Sequence, residues 1–195
     1  MLIESFLDYL RLERNYSERT IVSYRTDLRE FGGFLENTEA ELDWKKVHAD
    51  HVRNWMVSLM EGGKAATSVN RKLSSLRSFY RFLLRKKLVA VNPMLKIVGP
   101  KKKKPLPFFV REKDMNRLLD EIPFKEGFEG CRDRTILEMF YATGMRLSEL
   151  IGLNDADVDF ASKLIKVTGK RNKQRLIPFG KELEEDLNLY VKIRN

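Results

Sequence analysis

The 195-residue sequence predicts a mainly α-helical protein with a small β-hairpin, an α+β fold in two domains. Apolar residues recur at helical spacing through most of the chain, and a Pro/Lys-rich segment interrupts them once. Short β-branched runs around a turn occur near residues 164–178. We expect a helical domain over 1–98, a basic linker over 99–107 and a second domain over 108–195.

Four amphipathic patterns fill the first ninety residues. Ser17 is suited to cap the second helix, Gly62 and Gly63 end the third, and the fourth runs over about 68–87. The apolar stripes of the four begin at Ile3, Ile21, Val52 and Val69. Short connections between them predict a compact four-helix unit.

The second half begins after the segment GPKKKKPLP at 99–107, whose three prolines and four lysines cannot continue a helix. Helical patterns follow at about 111–121, 130–142 and 147–152. A hairpin is predicted from LIKV at 164–167 and QRLIP at 174–178. A last helix starts near Lys181.

Charge is the most unusual property of the composition, with 37 basic and 28 acidic residues giving a net charge of +9. Residues 62–111 contain fourteen Lys or Arg and no Asp or Glu, although an even spread of acids would put about seven there. A solvated basic face would explain scattered lysines. The length of the acid-free stretch favours contact with nucleic acid.

Other classes of protein are disfavoured. No apolar run reaches the ~18 residues of a membrane span, and Glu4 and Asp8 argue against a secretory signal. Cys131 is the single cysteine, which excludes an internal disulfide and fits a reducing compartment. We therefore expect a cytoplasmic protein.

The fourth helix carries a second, polar stripe beside its apolar one, composed of Asn70, Ser74, Arg77, Arg81 and Arg85. Asn and Arg can read base edges, while Ser and Arg can hold phosphates. We assign these residues to DNA binding together with the neighbouring Arg71 and Lys72. An ordinary solvent-exposed helix is the alternative.

Three other constellations do not support a site. His48 and His51 form H-x-x-H without a third ligand, which is weak for a metal. Asp155, Asp157 and Asp159 begin like a calcium loop, but Phe160 and Lys166 occupy the positions that need Gly and Glu. A turn before a strand explains these acids, and Cys131 is interpreted as a core residue.

Two basic positions in the second half are candidates for phosphate contact. Arg146 follows Gly144 where a new helix begins, and a helix amino terminus offers free N–H groups to an anion. Lys170 lies in the hairpin turn with Lys173 nearby. Taken by themselves, the two positions are better explained as an exposed arginine and a charged turn.

These residues lie in strings that resemble a known family. YATGMRLSEL (141–150) closely resembles the first catalytic-arginine motif of tyrosine recombinases, the phage-integrase family. VTGKRNKQRLIPFG (167–180) resembles the hairpin with that family's catalytic lysine. YSERTIVSYRTDLREF (16–31) and SVNRKLSSLRSFYRFL (68–83) look like two helices of its DNA-clamping, or core-binding, domain. The similarity is greatest to bacterial chromosome-dimer resolvases and mobile-element integrases.

The resemblance implies a site-specific recombinase that breaks and rejoins DNA through a 3′-phosphotyrosyl link, without metal, nucleotide or other cofactor. By match, Arg146 would bind non-bridging phosphate oxygens and Lys170 would protonate the 5′-oxygen leaving group. Ser17, Thr20 and Lys173 join the implied DNA contacts, and Glu149 would support the arginine. The implied partners are double-stranded DNA with inverted half-sites and further protomers, four on DNA in the complete protein.

Two departures from the family pattern qualify this expectation. The turn commonly reads Gly-Lys-Gly-Asn-Lys, and because Arg171 replaces the second glycine, we expect any positive φ at Asn172 or Gly169. The His-x-x-Arg motif and the nucleophilic tyrosine have no counterpart among these residues, and Tyr190 fits the apolar stripe of its helix. We expect the first part of a catalytic domain, which binds DNA and does not cleave it.

Two other classes remain open at this point. A non-catalytic accessory or regulatory protein would retain the clamp-like domain and bind DNA without any strand exchange. A generic basic helical protein would bind no DNA at moderate salt, whereas phosphate contacts give binding that weakens steeply as salt rises.

Overall fold

A computed structural model describes residues 2–38, 43–102, 106, 109–121 and 123–195, and for Arg171 the backbone alone. The chain divides into two compact units, Met1–Leu106 and Pro107–Asn195. Part of the sequence-predicted linker, including Lys103 and Lys104, lies outside the described residues.

The regular elements that the structure describes in the first unit are all helices. Its helices are α1 (Leu2–Asp8, continued by a π-helical turn Tyr9–Glu13), α2 (Glu18–Thr38), α3 (Ala49–Glu61) and α4 (Ala66–Arg85). The four predicted helices are thereby confirmed, with α4 beginning two residues earlier than its pattern indicated. The π-helical turn was not predicted.

The core of the first unit is apolar and rich in aromatic rings. Phe6 packs edge-on against Phe79 with ring centroids 5.3 Å apart, and Trp44 meets Phe79 at 5.1 Å. After α4, a chain of turns returns Val89, Met94 and Ile97 to the same core. Burial of these side chains accounts for the position of α4 against α1, α2 and α3.

One buried polar cluster interrupts this core. Asp27 of α2 is 0% exposed, and Arg71 of α4 donates two hydrogen bonds of 2.6 Å to its carboxylate. Ser75 donates another of 2.6 Å, and Lys72 lies 3.4 Å from Asp27. Because a buried charge is costly unless it is paired, this cluster fixes α2 against α4.

The second unit combines helices with one small sheet. Its elements are α5 (Glu112–Asp120), α6 (Phe128–Thr143), α7 (Leu147–Ile151), β1 (Val158–Asp159), β2 (Leu164–Thr168), β3 (Gln174–Pro178) and α8 (Lys181–Arg194). The strands are antiparallel in the order β1-β2-β3, with Ile165 opposite Ile177. The fold class, mainly helical with a small antiparallel sheet, is confirmed, and β1 is an addition to the predicted hairpin.

The sheet packs against helices through a single buried cluster. Ile165 and Val167 point inward from β2 and meet residues of α6 and α8, among them Met139, Leu183 and Leu187. Alternate residues of β2 are therefore buried, as its period-two pattern requires. This packing sets the hairpin turn after β2 near the start of α7. Among the described residues, no helix has the length and apolar character of a membrane span.

Candidate active centre and nucleic-acid interface

A sharp turn between α6 and α7 presents Arg146. Helix α6 ends at Gly144, which has a left-handed φ of 58° and donates its N–H to the Phe140 carbonyl at 3.0 Å. Met145 is buried, and Arg146 takes an extended conformation as the N-cap of α7. Because glycine adopts positive φ without steric cost, Gly144 permits this reversal of the chain.

The carboxylate of Glu149 holds this turn in place. Its side chain is 1% exposed and accepts four hydrogen bonds. Arg146 supplies its backbone N–H and its Nη1, both at 2.8 Å. Arg175 of β3 supplies Nη1 and Nη2 at 2.8 and 2.9 Å. Both oxygens of Glu149 are thus used on protein donors.

This environment keeps Glu149 ionised. The bidentate hydrogen bonds from Arg175, followed by the backbone N–H of Arg146, lower the pKa of Glu149 to about 2 against the opposing effect of burial. The same contact raises the pKa of the Arg175 guanidinium. A carboxylate that is ionised at neutral pH therefore holds Arg146.

The hairpin turn is tied to the same carboxylate. A Cβ added to Gly169 would lie 2.8 Å from Glu149 Oε1, so glycine permits the close approach of the turn. The N–H of Gly169 donates to the carbonyl of Lys173 at 2.7 Å, and residues Lys170–Asn172 form a 3₁₀ turn. Asn172 has φ 57° and Gly169 φ −98°, which confirms that one of these two residues takes the positive φ.

The two predicted catalytic side chains are both accessible. The side chain of Arg146 is 68% exposed, and Lys170 is exposed on its turn. Among the described contacts of its guanidinium, Arg146 uses Nη1 alone. The remaining N–H groups are available to an anion. The backbone N–H of Arg146, the N-cap of α7, is itself taken up by Glu149.

Helix α4 carries the predicted DNA-binding stripe, and two of its assigned residues face inward. The Lys72 side chain is 9% exposed and lies against Asp27 and Glu30. Asn70 donates its amide N–H groups to the carbonyls of Ala66 at 2.7 Å and Pro100 at 2.8 Å. Ion pairs with Asp27 and Glu30 hold Lys72 in the interior. The amide of Asn70 holds the segment at Pro100 against α4.

The remaining residues of the stripe reach solvent to different extents. Ser74, Arg81 and Arg85 are exposed, and Arg77 is half-buried with Nη2 donating to the Ile97 carbonyl at 3.0 Å. Arg71 is 51% exposed although its fork is bound to Asp27. At the start of α2, the hydroxyl of Ser17, which precedes the helix, lies 3.0 Å from that of Thr20 at the surface. Lys173 is exposed beside the hairpin turn.

Two family profiles match this chain, one in each unit. A profile described as "Phage integrase, N-terminal SAM-like domain" matches residues 3–87, and one described as "Phage integrase family" matches residues 109–194. The chain belongs to the phage integrase family. The resemblance to this family that the sequence indicated is thereby confirmed.

Relatives support the same membership. The chain is 41% identical over 190 residues to the "Tyrosine recombinase XerC" of Staphylococcus carnosus, covering 97% of this chain and 63% of that protein. It is 42% identical over 191 residues to that of Pediococcus pentosaceus, covering 98% and 64%. The chain thus spans somewhat less than two thirds of the length of these curated relatives.

Solved structures share the fold. A Tn1549 transposon integrase in complex with transposon right end DNA superposes with a TM-score of 0.79 at 17% identity, covering 100% of this chain and 66% of the other. A lambda integrase dimer bound to a COC′ core site gives 0.73 at 15% identity, covering 98% and 68%. At these identities the likeness establishes the phage-integrase fold.

Tyr190 has a packing role in this phage-integrase chain. Its ring stacks on Phe128 with centroids 6.0 Å apart, and the Arg194 guanidinium carbon lies 5.6 Å from its centre. It lines an apolar pocket of about 410 Å³ together with Leu147, Ile151 and Leu187. The interpretation of Tyr190 as part of an apolar helix face agrees with these contacts.

The remaining sequence candidates have structural explanations. His48 and His51 cap α3, since the N–H of His48 donates to His51 Nδ1 at 3.0 Å. Asp155–Asp157 form a 3₁₀ turn before β1, and Arg194 binds Asp155 at 2.9 and 2.6 Å. Within the described ranges, no three His, Cys, Asp or Glu residues form a group suited to a metal. Cys131 is half-buried.

Sequence reasoning missed the partner of Glu149. Arg175 lies in the segment QRLIP, which was predicted only as a strand of the hairpin. Its carboxylate partner is 26 residues away along the chain. Its alternation within β3 places it on the same strand face as Lys173 and Ile177. The spacing by itself predicts only which face of β3 Arg175 occupies. Its pairing with Glu149 follows from the packing of α7 on the sheet.

Proposed function

We propose that this chain supplies the DNA-clamping part and the arginine and lysine half of the catalytic centre of a site-specific tyrosine recombinase. One observation carries the proposal. An exposed Arg146 is anchored on the buried Glu149, and Arg175 ties the Lys170 hairpin to the same carboxylate. The motifs of a phage integrase thus meet at one fully hydrogen-bonded group.

Arg146 binds the scissile phosphate in this proposal. Its guanidinium is permanently charged and planar, and its free N–H groups match two non-bridging oxygens. Charge develops on these oxygens as the phosphorus becomes five-coordinate, so a pre-positioned arginine stabilises the transition state more than the ground state. Glu149 orients Arg146 and does not touch the phosphate.

Lys170 acts on the leaving group. In the complete protein, a tyrosine gives up its hydroxyl proton to solvent and its oxygen attacks phosphorus, so that the 3′-phosphotyrosyl bond forms as the bond to the 5′-oxygen breaks. Lys170 gives its proton to that oxygen, which departs as a hydroxyl. The attachment of the turn through Gly169 and Arg175 limits where Lys170 can reach. Tyr190 is not assigned as the nucleophile, because its ring packs on Phe128.

DNA binding belongs to the members of the predicted set whose side chains are exposed or half-buried. These residues are Ser17, Thr20, Arg71, Ser74, Arg77, Arg81, Arg85 and Lys173. Lys72 and Asn70 are left out because their polar groups are bound inside the protein. The partner is duplex DNA with inverted half-sites on which further protomers assemble, and the site of action is the cytoplasmic nucleoid.

A suicide-substrate assay tests whether this chain binds DNA without cleaving it. The wild-type chain is incubated with a nicked duplex that traps any phosphotyrosyl intermediate, and complexes are resolved with and without denaturant. We expect a complex that disappears in denaturant. A covalent adduct would contradict the assignment of Tyr190 to packing, and a Tyr190→Phe control would identify the nucleophile. Absence of any complex in native conditions would contradict DNA binding itself.

A further inference from the structure

A threonine hydroxyl lies at the turn that presents Arg146. Thr143 is the last residue of α6 and is half-buried. Its Oγ1 donates to the carbonyl of Met139, one turn earlier in α6, and accepts the N–H of Met145 at 3.3 Å. One hydroxyl therefore connects the last turn of α6 to the residue that precedes Arg146.

This hydroxyl completes the hydrogen bonding of the backbone across the turn. The N–H of Gly144 donates to a carbonyl of α6 at 3.0 Å, and the N–H of Arg146 donates to Glu149 at 2.8 Å. Between them, Met145 is 4% exposed, and its N–H has Thr143 as its acceptor. Because a buried N–H without an acceptor is costly, the turn depends on the hydroxyl for this bond.

The glycine in the turn makes a second attachment necessary. A Cβ added to Gly144 would meet no atom of the described residues within 4 Å, and glycine itself has a wide range of backbone conformations. Hydrogen bonds rather than packing around Gly144 therefore hold the turn. Glu149 holds it from the carboxyl-terminal side, and Thr143 holds it from α6. The branched Cβ of threonine restricts χ1 and so limits where the hydroxyl can lie.

The position of this turn determines where the guanidinium of Arg146 lies. The side chain is long and 68% exposed, and Nη1 is bound to Glu149 at 2.8 Å. A binding group must be held within about 0.5 Å of its productive position to act effectively. A displacement of the backbone at Met145 would be carried through the Cα of Arg146 to its phosphate-binding N–H groups.

We propose that Thr143 is a positioning residue for Arg146, whose backbone it fixes from α6 as Glu149 fixes it from α7. The inference rests on the proposed function, because it concerns the phosphate contact assigned to Arg146. Thr143 itself does not touch the phosphate. Loss of its hydroxyl therefore reduces what Arg146 contributes to DNA binding and leaves the other contacts unchanged.

A double-mutant cycle on DNA binding tests this role. Anisotropy of a fluorescent duplex at low salt gives the affinity of wild type, Thr143→Val, Arg146→Ala and the double variant. Valine keeps the shape of threonine and removes the hydroxyl. We expect Arg146→Ala to weaken binding roughly tenfold and Thr143→Val roughly fivefold, the latter as the loss of one hydrogen bond would. In the Arg146→Ala background, Thr143→Val should change the affinity by less than about twofold.

Two further variants are the controls. Thr143→Ser keeps the hydroxyl and should bind within about twofold of wild type. Thr26→Val removes a hydroxyl that donates in the same way, to the carbonyl of Val22 at 3.0 Å, from an exposed position of α2 outside the DNA-binding set. We expect Thr26→Val to bind as wild type does.

Amide hydrogen exchange gives a second measurement, which does not depend on the stability of Thr143→Val. In wild type the N–H of Met145 should exchange slowly, because the hydroxyl of Thr143 accepts it. In Thr143→Val it should exchange faster, while the N–H of Gly144 is unaffected. A wild-type Met145 amide that exchanges as fast as a solvent-exposed one would overturn the proposal.

The cycle separates this inference from the proposed function. Equal losses from Thr143→Val in the two backgrounds would overturn the inference, since a residue needed only for folding acts whether or not Arg146 is present. A Thr143→Val variant with wild-type affinity, beside a weakened Arg146→Ala, would overturn it while the proposed function stands. If Arg146→Ala binds as tightly as wild type, the phosphate contact of the proposed function fails, and the role of Thr143 fails with it.

Discussion

Arg175 binds Glu149 through two parallel hydrogen bonds of 2.8 and 2.9 Å, and the same carboxylate holds Arg146. One buried acid thus joins the hairpin of β2 and β3 to the start of α7. The two motifs of the proposed catalytic centre are 24 positions apart in sequence and share this single anchor.

Replacing Arg175 by Lys tests the anchor. Lysine keeps the charge and loses the fork, so one of the two hydrogen bonds to Glu149 is lost. We expect the thermal midpoint to fall by about 3 °C and the amide protons of the hairpin to exchange faster. Arg117→Lys is the matched control, since Arg117 contacts Glu121 through a single exposed pair. Equal effects of the two substitutions would contradict a special role for Arg175.

The depressed pKa of Glu149 predicts a specific acid dependence. The ordinary pKa is 4.5 and the folded value about 2, so the ionised carboxylate contributes stability that is complete above about pH 4.5 and lost as pH falls toward 2. Glu149→Gln removes this contribution. The gap in thermal midpoint between wild type and Glu149→Gln should therefore narrow between pH 4.5 and 2. A gap that stays constant over that range would show that Glu149 is not the titrating group.

The close approach of Gly169 to Glu149 predicts an asymmetry between two glycines. A methyl group at Gly169 would lie 2.8 Å from Glu149 Oε1, and four hydrogen bonds prevent the carboxylate from moving away. Gly180 has nothing within 4 Å of an added Cβ and a φ of −86°. We expect Gly169→Ala to lower the unfolding free energy by about 1–3 kcal/mol and Gly180→Ala to change it little. Chemical denaturation of both variants measures the difference.

The buried Asp27 predicts a large effect in the first unit. Asp27→Ala leaves Lys72 with Glu30 as its remaining counter-ion. It also removes the acceptor of two hydrogen bonds that Arg71 donates. We expect a loss of about 3 kcal/mol, as is typical when one partner of a buried pair is removed. Asp50→Ala, which breaks an exposed pair with Arg53, should cost roughly 0–1 kcal/mol. Similar losses for both variants would contradict the role of the buried cluster.

The helical elements were predictable because their apolar stripes are long and regular. The orientation of individual polar side chains was less predictable. Lys72 stands three, seven and ten residues before the buried Ser75, Phe79 and Phe82, and that spacing marked an inward face. Its counter-ions are 42 and 45 residues away, in another helix, and no local pattern reveals them.

The candidate site was predicted in its parts and not in its connections. Arg146 and Lys170 were found from their motifs, and both are exposed. Glu149 was expected to support Arg146, which lies three residues before it. The attachment of the hairpin to Glu149 through Arg175 depends on the packing of α7 against the sheet, which fixes distances that spacing cannot give. The π-helical turn Tyr9–Glu13 was not predicted, because no sequence pattern in that segment distinguishes it from an ordinary helix.

The central claim is that the exposed arginines of α4 bind duplex DNA, and the most direct measurement is the affinity of Arg81→Ala for a labelled duplex beside that of wild type. Phosphate contacts require wild-type affinity to fall steeply between about 50 and 200 mM salt. We expect Arg81→Ala to bind roughly tenfold more weakly than wild type at the same salt, and Arg53→Ala to bind as wild type does. An Arg81→Ala variant with unchanged affinity, or a wild-type affinity independent of salt, would contradict the claim.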